Sequence, residues 1–118
     1  MSTSPDRRRE LRSAYDERPT TAGVYLIRNT VTGRVFIGSS GDLVTVRNRL
    51  DFGQATASAG VLDLRMRPDA LAHGMDAFRM ETLDTLDMPP GTDPARARAD
   101  LTALETLWRE KLADLPQY

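Results

Sequence analysis

Two short glycine-bounded tripeptides, Gly23-Val24-Tyr25 and Phe36-Ile37-Gly38, stand ten residues apart and constrain the fold of this chain more than any other feature. The runs Val24 to Thr30 and Arg34 to Gly38 are rich in β-branched and aromatic residues. Val31-Thr32-Gly33 joins them. Two such runs with a short glycine-containing connection read as a β-hairpin. Antiparallel pairing brings Tyr25 and Phe36 near each other on the sheet. Gly23 and Gly38 then allow close backbone approach at the strand ends.

The other elements follow from local signals. Ser4-Pro5-Asp6 supplies a capping hydroxyl, a proline at the first helical position and an acid in the first turn, so a short helix to about Glu17 is expected, ended by Pro19. Asp42 caps a helix through about Leu50, with Leu43, Val46 and Leu50 on one face. Residues 53–60 are small and weakly patterned and read as a loop. A broken helical segment runs from Val61 to His73, interrupted at Pro68 and stopped by Gly74. Phe78, Met80 and Thr82 alternate with Arg79 and Glu81 and lead into Leu83 and Leu86, a third strand. Asp93-Pro94 opens the longest helix, to about Leu115. The order predicts an α+β fold, a small three-stranded antiparallel β-sheet flanked by helices. The expected organisation is a domain over 21–118 with an N-terminal helical extension, 1–20, packed on it.

Composition narrows the chemistry. With 118 residues the chain fits one compact domain. It has no cysteine and one histidine, which excludes disulfides, thiolate metal sites and a multi-histidine centre within one chain. No run approaches the ~18 apolar residues that span a membrane, and the polar, charged N-terminus lacks the apolar core of a signal peptide. No membrane partner and a cytoplasmic location are the expectations. Residues 1–50 hold nine arginines against five acids, and residues 51–118 seven bases against twelve acids. The basic half carries the paired tripeptides, compatible with a surface that faces phosphate. Arginine, which contacts phosphate in bidentate fashion, supplies all but one of the 16 bases.

Glu105 is the informative acid of the second half. On a helical wheel Leu104, Trp108, Leu112 and Leu115 fall within roughly 60° of Leu101, and Glu105 falls at about 40°, on the same stripe. A carboxylate there needs an arginine, a hydrogen-bond network or a cation. Ser39-Ser40-Gly41-Asp42 precedes the second helix, where hydroxyls and free amides can hold a phosphate; equally, Asp42 can serve only as the cap.

The paired tripeptides, their spacing, the serine-rich turn and Leu104-Glu105-Thr106-Leu107-Trp108 resemble the GIY-YIG nuclease domains, with Val24 and Phe36 in place of Ile and Tyr. With the leading Arg-rich helix, Asn48-Arg49, Phe52, Gly74 and Asp100-Leu101, the likeness extends over nearly the whole chain. It is similar to a group of small stand-alone bacterial members in which Phe at the second aromatic is ordinary. The resemblance implies the following roles. Tyr25 and Phe36 stand at the two catalytic aromatic positions; Tyr25 orients or deprotonates the attacking water, and Phe36 cannot hydrogen-bond it. An arginine of the first domain helix, Arg49 or Arg47, neutralises developing charge. The position at the family's usual spacing is Val46. Gly23, Gly38, Ser39 and Ser40 lie on the substrate side, and Glu105 is the protein ligand of Mg2+ or Mn2+. The partner is nucleic acid, DNA first. The activity implied is metal-dependent endonuclease hydrolysis of phosphodiester bonds. A catalytically inactive nucleic-acid-binding or regulatory module is the alternative, and a protein-interaction domain with a structurally paired Glu105 is a third reading. His73 looks like a helix-end or loop residue with no catalytic role.

Overall fold

The computed structural model describes residues 20–118. The leading helix expected from Ser4 to Glu17, with Arg7, Arg8, Arg9 and Arg12, lies outside the described residues. The elements are β1 (Ala22–Asn29), β2 (Val35–Ser40), α1 (Leu43–Thr56), α2 (Arg67–His73), β3 (Phe78–Leu86) and α3 (Pro94–Lys111), with 3-10 turns at Ala59–Val61 and Met75–Ala77. The strands form one antiparallel sheet in the order β2-β1-β3. This is the expected α+β architecture, with the first hairpin strand at its centre.

The hairpin turn is built by Asn29 and Gly33. Gly33 takes φ 79° and donates its N–H to the Asn29 carbonyl at 2.8 Å. The fully buried Asn29 side chain accepts from the backbone N–H groups of Val31 (3.0 Å) and Thr32 (3.3 Å). That turn fixes the register: Tyr25 lies opposite Gly38, and Ile27 opposite Phe36. Tyr25 and Phe36 are therefore diagonal neighbours on one face, with ring centroids 6.5 Å apart.

Strand alternation sends successive side chains to opposite faces. Val24, Leu26, Val35 and Ile37 face α3 and pack with Leu104, Trp108, Leu112 and Leu115, the stripe read from the wheel. Ile27, with Tyr25 and Phe36 beside it, faces α1 and α2, where Leu50, Leu62, Met66, Ala70 and Phe78 complete a second core. β3 serves both. A bulge between Val24 and Tyr25 leaves Leu83 without a partner in the register, so Leu83 packs on the α3 face. Asp84, next in the chain, also turns to α3 and accepts from the Trp108 indole at 3.1 Å. A bulge places consecutive side chains on one side in this way.

Three expectations need correction. α1 does not end near Leu50 but runs to Thr56, and the small residues of 53–60 form its last turn, the left-handed Ala57 (φ 54°) and a 3-10 turn. A side chain at Gly53 would run into Val61 and, at 3.1 Å, the Met75 methyl, so the helix closes on the turn only with glycine there. Gln54 ties this end of the helix to the other 3-10 turn and β3 by donating to the carbonyls of Phe78 (2.8 Å) and Met75 (3.2 Å). These are backbone and polar contacts, which leave no apolar period. Pro68 does not interrupt a helix; it lies in the first turn of α2, where its missing N–H costs nothing. α3 stops at Lys111, not near Leu115; Leu112 and Leu115 leave the helix yet keep their places on the sheet. Beyond them the tail lies along β2. Val35 donates to the Pro116 carbonyl at 2.8 Å, and Tyr118 donates to that of Val35 at 3.0 Å, covering part of the outer edge.

Candidate active site

Between the sheet and α1 the second core leaves a cavity of about 410 Å³. Its floor is Ile27 and Phe36, Tyr25 stands at one end, α1 contributes Val46, Arg49 and Leu50, and the far wall is the chain from Gly60 to Asp63 with Met66 and Arg67. Ser40 and Thr45 border it at the β2–α1 turn.

The two glycines of the tripeptides have different local duties. At Gly23 a Cβ would strike the Asp84 carbonyl, the close strand approach expected of it. At Gly38 it would lie 2.6 Å from the Tyr25 hydroxyl oxygen and 2.7 Å from its Cζ. Gly38 thus admits a side chain rather than a backbone: the Tyr25 ring lies across it. Burial pushes the Tyr25 phenol above its ordinary range, and the Glu105 and Asp63 carboxylates push the same way, against a smaller opposite pull from Arg49. At neutral pH Tyr25 is a protonated phenol.

Phe36 packs against Tyr25 with its ring tilted by 40°. Over Phe36 lies the Arg65 guanidinium, 5.5 Å from the ring centroid. Asp63 holds that arginine, accepting from Arg65 Nε at 2.9 Å and from its backbone N–H at 3.0 Å. The same contacts hold the Asp63 carboxyl below its usual range. Arg67 donates to the carbonyls of Leu62 (3.0 Å) and Gly60 (3.2 Å), tying the far wall to the start of α2. Of the two helix arginines, Arg49 lines the cavity together with Val46, and Arg47 is exposed outside it.

The two serines diverge, as neighbours on a strand must. Ser40 accepts the Asp42 N–H at 3.0 Å and donates to the Asp42 carbonyl at 3.1 Å. Asp42 caps α1, its Oδ1 accepting from Val44 N–H at 3.1 Å and Thr45 N–H at 3.4 Å. Ser39 points to the α3 face, where its hydroxyl donates to Glu105 Oε1 at 3.2 Å. Glu105 is largely enclosed, its side chain 18% exposed, and Arg109 Nη2 lies 3.2 Å from the other oxygen, Oε2. Arg109 also donates to the Ile37 carbonyl at 3.0 Å, on β2. The partner that the wheel demanded of Glu105 is thus an arginine and a hydroxyl. An ionised carboxylate has about four acceptor positions, of which these contacts take two. Among the described residues no three acids or histidines cluster as a metal cage. His73 ends α2 and does not line the cavity.

Sequence reasoning brought Tyr25, Phe36 and Arg49 to one cavity but missed Arg109, Asp63, Arg65 and Arg67. The first was readable, since Glu105 and Arg109 are an i, i+4 pair on a helix. Asp63 and Arg65 sit in an irregular stretch and Arg67 opens α2, and only tertiary packing carries them to the sheet.

Among the described residues no helix is long and apolar enough to cross a membrane. No protein-family model matches the sequence, and no curated protein matches it. Solved structures do. The catalytic domain of the homing endonuclease I-TevI superposes with a TM-score of 0.53 at 20% identity, over 78% of this chain and 88% of that one. A mutant form of the same I-TevI domain, described as that of an intron endonuclease, aligns at 20% identity and a TM-score of 0.47, over 72% and 84%. The chain shares the α+β fold of the I-TevI catalytic domain, the three-stranded antiparallel sheet flanked by helices that the sequence led us to expect.

Proposed function

We propose that this domain hydrolyses phosphodiester bonds of nucleic acid, DNA first, in a cytoplasmic reaction that depends on Mg2+ or Mn2+. The observation that carries the reading is the convergence of Tyr25, Phe36 and Arg49 on one cavity; Glu105, held by Ser39 and Arg109 outside that lining, raises the Tyr25 pKa. The fold it shares with a homing endonuclease catalytic domain adds support.

Each residue has a task it can perform as placed. Tyr25, protonated, holds the attacking water by hydrogen bonding; a phenol with a raised pKa is a poor base at neutral pH. Phe36 has no hydroxyl and acts as an apolar wall that keeps bulk water from the phosphate. Arg49 puts a permanent positive charge where the phosphoryl group gains negative charge. Glu105 offers one hard carboxylate with acceptor capacity left over, the kind of donor with which Mg2+ is held alongside water and phosphate oxygens. A divalent ion bound there would supply Lewis acidity toward the phosphate oxygens. Water adds across the P–O bond, and the leaving oxygen ends protonated.

The alternative, a nucleic-acid-binding module without catalysis, draws on two observations: Arg109 and Ser39 already engage Glu105, and Phe36 carries no hydroxyl. Supercoiled plasmid and single-stranded DNA incubated with Mn2+ decide between them. Wild type should nick, Glu105→Ala should not, and Arg49→Ala should lose on the order of 10²–10³ in rate. Equal cleavage by wild type and Glu105→Ala would sink the nuclease reading. Salt-sensitive binding without cleavage would establish the alternative.

A further inference from the structure

The cavity beside Tyr25 is lined by apolar as well as polar and charged side chains, more than a phosphate alone requires. A phosphodiester backbone asks for cations and N–H donors at a surface. Here the lining also includes Ile27, Leu50, Leu62 and Met66, four buried side chains with no hydrogen bond to offer. Its volume, about 410 Å³, falls within the ~300–1,000 Å³ of small-ligand pockets, which are apolar with a few placed polar groups.

The rim supplies what a nucleotide needs. Phe36 presents a ring face on which a planar group already lies, the Arg65 guanidinium at 5.5 Å. Aromatic rings and guanidinium planes are the two side-chain surfaces on which unstacked bases lie. Arg49 and Arg67 border the opening with positive charge suited to the flanking phosphates, and the Asp63 carboxylate offers an acceptor for a base amine.

The geometry points to a base-binding pocket: this cavity takes one unstacked nucleobase of a strand whose phosphate lies at Tyr25 and Arg49. The inference rests on the nucleic-acid function proposed above and adds a substrate class, single-stranded or locally unpaired nucleic acid in preference to intact duplex. In a paired duplex the base must first leave the stack, which costs free energy that an unpaired strand does not spend.

The test is binding in the absence of divalent ions, with the full chain. The probes are an oligonucleotide carrying 2-aminopurine, the same strand in a perfect duplex, and adenosine monophosphate as competitor. The single strand should bind about tenfold more tightly than the duplex, with a change in 2-aminopurine fluorescence on binding. Val46→Trp, which fills the cavity from α1, should remove that preference by weakening the single strand about tenfold and leaving the duplex unchanged. Arg65→Ala touches no core packing and should reduce the preference several-fold, so the inference stays testable if the tryptophan variant fails to fold. Equal affinity for strand and duplex, or a preference that neither variant moves, overturns the pocket while leaving the proposed function standing. Tighter binding of the free mononucleotide than of the oligonucleotide overturns the strand assignment. Failure to bind any nucleic acid overturns the pocket, while the cleavage assay with Mn2+ tests the proposed function separately.

Discussion

The two faces of the sheet are built from the same two tripeptides and end in opposite states. Toward α3, Val24 and Ile37, the middle residues, meet a continuous leucine and tryptophan stripe, and the polar groups on that side have partners: Asp84 with Trp108, and Glu105 with both Ser39 and Arg109. Toward α1, the aromatic residues Tyr25 and Phe36 meet a helix that stands back far enough to leave about 410 Å³ open. The difference teaches that alternation along one hairpin can divide labour. On β1, Val24 and Leu26 hold the α3 face together, and Tyr25 between them is left to carry chemistry. Gly38 lies on the chemical side and has no side chain, so the Tyr25 ring can lie across it.

The largest effect that separates the faces is on stability. Leu26 is 2% exposed in the closed face, and Leu62 is 3% exposed but lines the open cavity. Leu26→Ala removes atoms from a site that cannot collapse and should cost about 4 kcal/mol in urea unfolding. Leu62→Ala enlarges a space already present, so its cost should sit at the low end of such truncations, about 2 kcal/mol. Equal losses would mean that the cavity wall is as tightly packed as the α3 face, and the comparison would fail.

The closed face was the legible one. An apolar stripe on a long helix, a β-rich hairpin and an alternating third strand each have a period, and a period survives in one dimension. So Leu104, Trp108 and Leu112 fell where the wheel put them, and Glu105 was marked as an acid in need of a partner. The open face was read only at its aromatic and arginine positions. Its far wall, Gly60 to Arg67, has no period, because carbonyls, an Asp63–Arg65 pair and the absence of a side chain at Gly53 shape it. The end of α1 was missed for the same reason. The tail at Pro116 to Tyr118 was missed because edge pairing depends on which strand lies outermost, a property of the assembled sheet.

A second, smaller effect is on alkaline stability, and it tests whether Tyr25 is as enclosed as its position over Gly38 implies. Burial raises its pKa first, then Glu105 and Asp63. Burial likewise raises that of Tyr118, whose hydroxyl donates to Asp69 at 2.7 Å. The unfolded value is about 10 and the folded value lies above it, so the folded state binds the proton more tightly. The stabilisation is complete below pH ~10 and is lost as pH rises through the folded values. The melting temperature should therefore fall above pH ~10 beyond what an ordinary tyrosine would cause. Tyr25→Phe and Tyr118→Phe should each flatten that fall, and Arg49→Ala should move the phenolate absorbance of Tyr25 to still higher pH. A Tyr25 titration at the ordinary position would place its hydroxyl in solvent and overturn the enclosure inferred from its position over Gly38.

The smallest effect decides what Glu105 is for. If the acid served the fold as one half of a buried ion pair, removing it would strand Arg109 and cost several kcal/mol, about 3–5. Arg109, however, is 45% exposed and keeps its bond to the Ile37 carbonyl when the carboxylate is gone. An i, i+4 pair of that exposure contributes about 0.3–0.5 kcal/mol, and the lost Ser39 bond roughly 1 kcal/mol more. Glu105→Ala should thus lower stability by no more than about 1–1.5 kcal/mol, measured without metal. With Mn2+ added, wild type should gain thermal stability by mass action while Glu105→Ala gains none. A loss of several kcal/mol with no Mn2+ response in either protein would make Glu105 a structural acid of the α3 face. A small loss with a Mn2+ response confined to wild type would make it the one residue of that face that works for the other.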